Sequence, residues 1–271
     1  MIPAPFSYRR AASVDEAIEA AVADEDAKYL AGGHSLLPMM KLRFAVPTTL
    51  IDIGRLPGLS YIEDRGDHIA IGGLTRHHDV NTSPVLRTSI PLLAHAAGEV
   101  GDPQVRHRGT IGGSVAHGDP ASDLPAVLLA LDATFVAQGP SGSRSIPSAD
   151  FFRSLFETAL EPGELLTEIR VPKPSAPSAW SFQKFRKRAI DWAIVGVAVQ
   201  DNRIGLINMG QVPLRAAAAE AALASGAAVA DAAALAAEGT SPGSDIHAST
   251  AYREHLARVL TARGLAQAHS S

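Results

Sequence analysis

Residues 28–43, KYLAGGHSLLPMMKLR, run from a short strand pattern through a glycine pair and a polar pair into an apolar segment closed by basic residues. A second pair lies in residues 108–125, RGTIGGSVAHGDPASDLP. Two adjacent glycines are costly to order on folding, so a simple turn would make do with one. Where a strand's C-terminal end meets a helix N-terminus, free backbone N–H groups and the helix dipole favour an anion. Glycine lets that backbone approach a phosphate closely. Ala31, Gly32, Gly33, His34 and Ser35 fit this arrangement, with Ser35 placed to cap the next helix or to bond a phosphate oxygen. Thr110, Ile111, Gly112, Gly113 and Ser114 offer a second such loop with hydroxyls at both ends. Two loops converging on one ligand suit a diphosphate. The competing reading is that each pair makes a tight turn or lets two elements pack closely. Neither segment is a GxGxxG or a P-loop, so the residues alone indicate an anion-binding α/β domain.

Upstream, Ser13-Val14-Asp15-Glu16 is a capping box, and Val14, Ala17, Ile18, Ala21 and Val22 recur on one helical face. The spacing predicts a helix ending near Ala23, then a strand in KYLAGG and another at 48–53, an order that implies parallel pairing. Downstream, HIAIGG at 68–73 reads as a strand stopped by glycines, followed by helical patterns at about 75–80 and 84–99. Ser122 is placed to cap a helix over 124–131, with Pro125 tolerated in its first turn. Strand-like runs follow at 133–138 and 164–171. VPKPSAPSA, 171–179, reads as an extended connector. After it, WSFQKFRKR, AIVGVAVQ and RIGLINMG predict an antiparallel meander, then alanine-rich helix at 216–237 and a helix at about 250–263.

The chain has 271 residues, 46% hydrophobic and 19% charged, the composition of a globular protein of one large or two smaller domains. A net charge of -4 without a basic block gives no support to a nucleic-acid partner. No apolar run is long enough to span a membrane, and MIPAPFSYRR lacks the apolar core of an export signal. There is no cysteine, which removes disulfides, thiolate nucleophiles and iron–sulfur clusters ligated by this chain. The acceptor tripeptide Asn81-Thr82-Ser83 is then a chance match.

Taken with their flanks, AGGHSLLPMMKLR, GDPQVRHRGTIGGSVAHGDPASDLPA, EPGELLTEIRVP and FQKFRKRAIDWAIVGVAV resemble the FAD-binding medium subunit of the molybdenum hydroxylase (xanthine dehydrogenase) family, carbon monoxide dehydrogenase type. The resemblance implies an α+β fold: a two-lobed FAD-binding domain of the vanillyl-alcohol oxidase/PCMH type over 1–174, with lobes of about 1–57 and 58–174. A small α+β C-terminal domain with a three-stranded antiparallel sheet would follow over 178–271. Residues 31–35 and 110–114 would wrap the FAD diphosphate, with Thr110 and Ser114 giving side-chain contacts. Asp123 matches an acidic residue at the adenosine end, Leu166 a backbone contact on the adenine side, and Lys184 a basic residue near the flavin.

Each has a structural alternative: Asp123 favouring its helix dipole, Lys184 on a solvated basic strand, Leu166 and Trp192 in the core. Two positions depart from the family pattern. Ser114 replaces a frequent Asn, and Trp192 replaces the Tyr often found beside the isoalloxazine. A cation near the flavin would stabilise its reduced form.

His77, His78, Asp79, His95, His107 and His117 match no metal-ligand spacing, and His34 and His117 are read instead as lining the cofactor loops. No catalytic acid, base or metal ligand is assigned. The function implied is a cytoplasmic electron-transfer subunit. Its FAD would take electrons from 2Fe–2S clusters of a small subunit, downstream of a molybdenum cofactor on a large molybdopterin subunit, in a dimer of heterotrimers. The rivals are a self-sufficient FAD oxidase and a non-redox nucleotide-binding subunit.

Overall fold

The computed structural model describes residues 2–174 and 178–270; residues 175–177 of the expected connector lie outside the described residues. All counts below are of the described residues. The capping box forms at the head of α1 (Val14–Val22). Ser13 Oγ accepts from the Glu16 N–H at 3.1 Å, and the Glu16 carboxylate accepts in return from the Ala12 N–H at 2.8 Å. Around α1, the strands β1 (Ser7–Arg10), β2 (Lys28–Leu30) and β3 (Thr49–Asp52) make a parallel sheet ordered β1-β3-β2, with α2 (Leu36–Leu42) crossing between the last two. The sequence gives no warning of β1, because its residues are exposed on both faces and carry no alternation.

The second sheet is antiparallel. Strands β4 (Ile62–Asp64), β5 (His68–Gly72), β6 (Thr134–Gly139) and β7 (Gly142–Pro147) are joined by a later strand, with the hairpin β8 (Phe152–Ser154) and β9 (Glu157–Thr158) leading into it. That strand, β10 (Leu165–Pro172), takes the centre of the order β4-β5-β10-β6-β7. Between β5 and β6 run α3 (His77–Thr82), α4 (Pro84–Ser89), α5 (Pro91–Gly98), α6 (Pro103–Arg108), α7 (Ile111–His117) and α8 (Asp123–Ala130). The helical pattern over 84–99, whose regularity Pro84 and Pro91 limit, is α4 plus α5. Ile90 leaves helical geometry (φ -141, ψ 63), and Pro91, which has no N–H to donate, restarts the helix. Every residue of α8 is buried, in a core shared with Ile69, Ile71, Leu92, Phe135 and Ile169.

The expected three-stranded meander is a four-stranded sheet: β11 (Trp180–Phe185), β12 (Val195–Gln200), β13 (Arg203–Ile207) and β14 (Leu214–Arg215). The added strand has two residues, too few to show a period. Alanine-rich α9 (Ala217–Ala224) and α10 (Val229–Ala234) are separate helices with Gly226 (φ +86) between them, and α11 (Thr250–Ser270) is longer than its pattern. Alternation splits this sheet's side chains. Val195, Val197, Val199, Ile204 and Leu206 pack with Leu256, Leu260 and Leu265 of α11, while Ala198 and Ile207 join the core around α8. Gly205 makes the second contact possible, since a Cβ there would sit 2.1 Å from the Ala126 carbonyl oxygen of α8.

Candidate cofactor site

The two glycine segments meet. A Cβ on Gly32 would fall 2.3 Å from the Arg108 carbonyl oxygen and 2.8 Å from Gly109 Cα, and one on Gly113 would come 3.8 Å from Ala31 Cβ. Gly33 serves a different need, with φ +78 at the turn into α2. The packing explanation for paired glycines therefore holds for Gly32, and the positive-φ explanation holds for Gly33. Beyond these roles, the N–H groups of Gly32, Gly33, His34 and Ser35 find no acceptor among the described residues. Ser35 heads α2 without a side-chain capping bond, and the His34 ring is held at 3.2 Å from the Gly32 carbonyl. Successive unpaired backbone N–H groups are the donors from which anion-binding nests are built.

The second segment is built otherwise, which corrects the expectation of a second loop of free donors. Gly112 and Gly113 lie in the first turn of α7, and the donors are already engaged. Ile111 N–H donates to Thr75 O and Gly112 N–H to Gly73 O, each at 3.0 Å, and Gly113 N–H donates to the capping Thr110 Oγ1 at 3.2 Å. Ser114 N–H closes on Thr110 O at 3.0 Å. A Cβ on Gly112 would collide with Gly73 O at 2.4 Å, so this pair is a close-packing device. Thr110 is 3% exposed and its hydroxyl oxygen serves that cap, while Ser114 is half-buried.

Asp123 and Lys184 are brought together as a buried ion pair, Nζ to Oδ2 2.7 Å, with side chains 6% and 4% exposed. Lys184 also donates to the Glu99 carbonyl at 2.9 Å, at the C-terminal end of α5 where a cation is favoured. It is thus no solvated residue. Asp123 Oδ1 is buried with no hydrogen-bond partner. Burial pushes the carboxyl up to about 6, against the opposing pull of Lys184. The resemblance set Asp123 at the adenosine end and Lys184 near the flavin; in the fold the two side chains are in contact with one another. The sequence could not show this, because 61 positions separate them.

Leu166, 5% exposed, is a core residue of β10 whose carbonyl oxygen would lie 2.3 Å from a Cβ on Gly73. Gly73 in turn supports Gly112, so Leu166 backs the second segment. His117 closes α7, its ring 5.0 Å from that of Phe156 at the β8–β9 hairpin, and burial lowers its pKa. Trp192, between β11 and β12, is 56% exposed and so is not a core residue; no hydrogen bond or ring contact among the described residues joins it to the other candidates.

Three contributors were not read as part of the site in the sequence, His77 having been weighed only as a metal ligand. Gly73 was visible as part of HIAIGG, but only as the end of a strand. Arg76 donates to the carbonyl oxygens of Arg108 and Gly54, tying the segment after β3 to the platform under Gly32. His77 is buried with Nδ1 unpartnered, and burial together with Arg106 and Arg76 pushes its pKa down to about 4.

Free N–H donors on a glycine platform, and a buried carboxylate oxygen left without a partner, are groups that suit a dinucleotide carrying a diphosphate and sugar hydroxyls. The chain is also similar to known FAD-binding proteins. The family model "FAD binding domain in molybdopterin dehydrogenase" matches residues 4–174, and "CO dehydrogenase flavoprotein C-terminal domain" matches residues 180–268. The carbon monoxide dehydrogenase medium chain of Hydrogenophaga pseudoflava is 45% identical over 79% of this chain and 78% of its own. A subunit alpha of the 6-hydroxypseudooxynicotine dehydrogenase complex of Paenarthrobacter nicotinovorans is 40% identical over 99% and 96%. A solved carbon monoxide dehydrogenase from Hydrogenophaga pseudoflava, lacking the Mo-pyranopterin moiety, superposes with a TM-score of 0.95 at 43% identity, covering 100% of this chain and 99% of that one. On sequence, fold and site together, the chain belongs to the FAD-binding medium subunits of the molybdenum hydroxylase family, of the carbon monoxide dehydrogenase type.

Proposed function

We propose that this chain binds FAD between its two glycine segments and relays electrons within a molybdenum hydroxylase. The observation that carries this is the run of unpaired N–H groups at residues 32–35, seated on the Arg108–Gly109 backbone. Those N–H groups and the Ser35 hydroxyl hold the diphosphate on one side, and the hydroxyls of Thr110 and Ser114 approach from the other. Ala31, His34 and His117 line the cleft, and Ile111, fully buried, backs the second segment from the core. Asp123 Oδ1 accepts from a ribose or ribityl hydroxyl while Lys184 balances its charge, Leu166 supports the adenine side through its backbone, and Trp192 offers its indole face to the ring. Bound FAD supplies the step between single-electron donors and a two-electron acceptor. No side chain of this chain is assigned a proton to transfer.

The division runs at 1–174, the FAD-binding domain, and 178–271, the C-terminal domain. The partners are a large molybdopterin subunit and a small iron–sulfur subunit, in a cytoplasmic dimer of heterotrimers. A chain without cysteine is suited to leaving the clusters to a partner. Among the described residues no helix is long and apolar enough to cross a membrane. Relatives whose names carry carbon monoxide and 6-hydroxypseudooxynicotine share this chain's architecture, which supports placing substrate choice on the large subunit.

The test is to saturate the purified chain with FAD, desalt it and record its spectrum before and after chemical reduction. A yellow complex that bleaches, without unaided oxidation of small alcohols or amines, is expected. A colourless chain overturns the reading, and unaided turnover points to the oxidase instead.

A further inference from the structure

Trp192 leaves 56% of its surface exposed, yet Ala193 is 2% exposed and Val195 is fully buried. The indole therefore stands on an anchored backbone. Asn208 Nδ2 donates to the carbonyl oxygens of both Ala193 and Ile194, at 2.9 and 3.3 Å. Arg253, 3% exposed and paired with Asp245 at 2.7 Å, donates to the same Ile194 carbonyl. Asn208 also reaches in the other direction, its own N–H donating to Pro120 O at 2.8 Å, in the turn that leads into Asp123. It does so from φ +62, a left-handed conformation that asparagine tolerates better than most residues. One residue thus fastens the approach to the buried carboxylate and the footing of the exposed indole.

We propose that Asn208 is a positioning residue that sets Trp192 and Asp123 in a fixed relation before a flavin arrives. The proposal rests on the reading of this cleft as the FAD site, and it concerns residues outside both glycine segments. Its physical basis is preorganisation: a stacking surface held in place beforehand loses less freedom on binding than one on a loose loop.

Trp180→Phe makes Trp192 the sole indole, since the chain has two tryptophans. In that background Asn208→Gly and Asn208→Asp both tolerate the left-handed turn. The first removes the side-chain donor; the second turns an acceptor toward two carbonyls. In the flavin-free full chain, the residual fluorescence anisotropy of Trp192 is expected to fall to half or less of the parent value in both variants. Unchanged anisotropy overturns the proposal whatever the flavin does. With FAD added, quenching of Trp192 is expected to drop at least twofold in both variants relative to the parent. Equal quenching in all three proteins also overturns it. A parent that fails to bind FAD sinks the cofactor reading instead, while the anisotropy arm still decides the anchoring.

Discussion

The Lys184 ammonium meets the Asp123 carboxylate at 2.7 Å in a setting where neither side chain is more than 6% exposed. Removing one partner of a buried pair strands the other charge, at a cost of about 3–5 kcal/mol, whereas replacing both with apolar groups is often neutral. Lys184→Met is expected to lower the unfolding free energy by about that amount in urea titration. Asp123→Leu combined with Lys184→Met should recover at least half of the loss. A single variant as stable as wild type would contradict the pairing.

Opposed pH dependences come from the same region. His77 titrates near 6.5 when unfolded and at about 4 when folded. The unfolded chain therefore binds the extra proton, and this contribution to stability is whole above pH 6.5 and lost as pH falls toward 4. Asp123 goes from 3.8 to about 6, so its contribution is whole below 3.8 and lost as pH rises through 6. The difference in unfolding free energy from wild type should reveal each. His77→Gln should gain relative stability toward acid between about pH 6.5 and 4. Asp123→Asn should lose it over the same window. Flat difference curves would remove both assignments.

The meeting of the glycine segments predicts a sharp contrast between two alanine substitutions. Gly32→Ala drives a methyl group into the Arg108 carbonyl at 2.3 Å, so the segments must separate. It should cost about 1–3 kcal/mol and weaken FAD binding more than tenfold. Gly58 has φ +75 but open space around it, so Gly58→Ala should cost about 1–2 kcal/mol of backbone strain and leave binding unchanged. Calorimetric titration with FAD, beside thermal unfolding, separates the two effects.

Thr110 caps α7 through a single hydroxyl oxygen that accepts from Gly113 N–H at 3.2 Å. Thr110→Val keeps the shape and removes the acceptor, for a loss of about 1 kcal/mol and a weaker FAD complex. Thr110→Ser should restore most of both. Equal behaviour of the two variants would assign Thr110 a packing role only.

What could be read in advance was local or periodic. The Ser13 box lies within four residues of its partners, and the alternation of Val195, Val197 and Val199 declares a strand facing α11. The first glycine segment was legible because its open donors follow from its own short sequence. The second was not, since Gly73 and Thr75, which engage the N–H groups of Gly112 and Ile111, lie in a stretch read only as the end of one strand and the start of a helical pattern. Lys184 escaped for the same reason: KFRKR has the composition of a wet surface, and only the carbonyl of Glu99 and the carboxylate of Asp123 make its first lysine an interior one. Where binding depends on partners distant in the chain, composition misleads.

Because Gly32 rests on Arg108 and Gly109, the cradle has no floor until more than a third of the polypeptide has been made, and its buried carboxylate has no counter-ion until β11 appears. A product ending ahead of β11 would keep both glycine segments and leave Asp123 without Lys184.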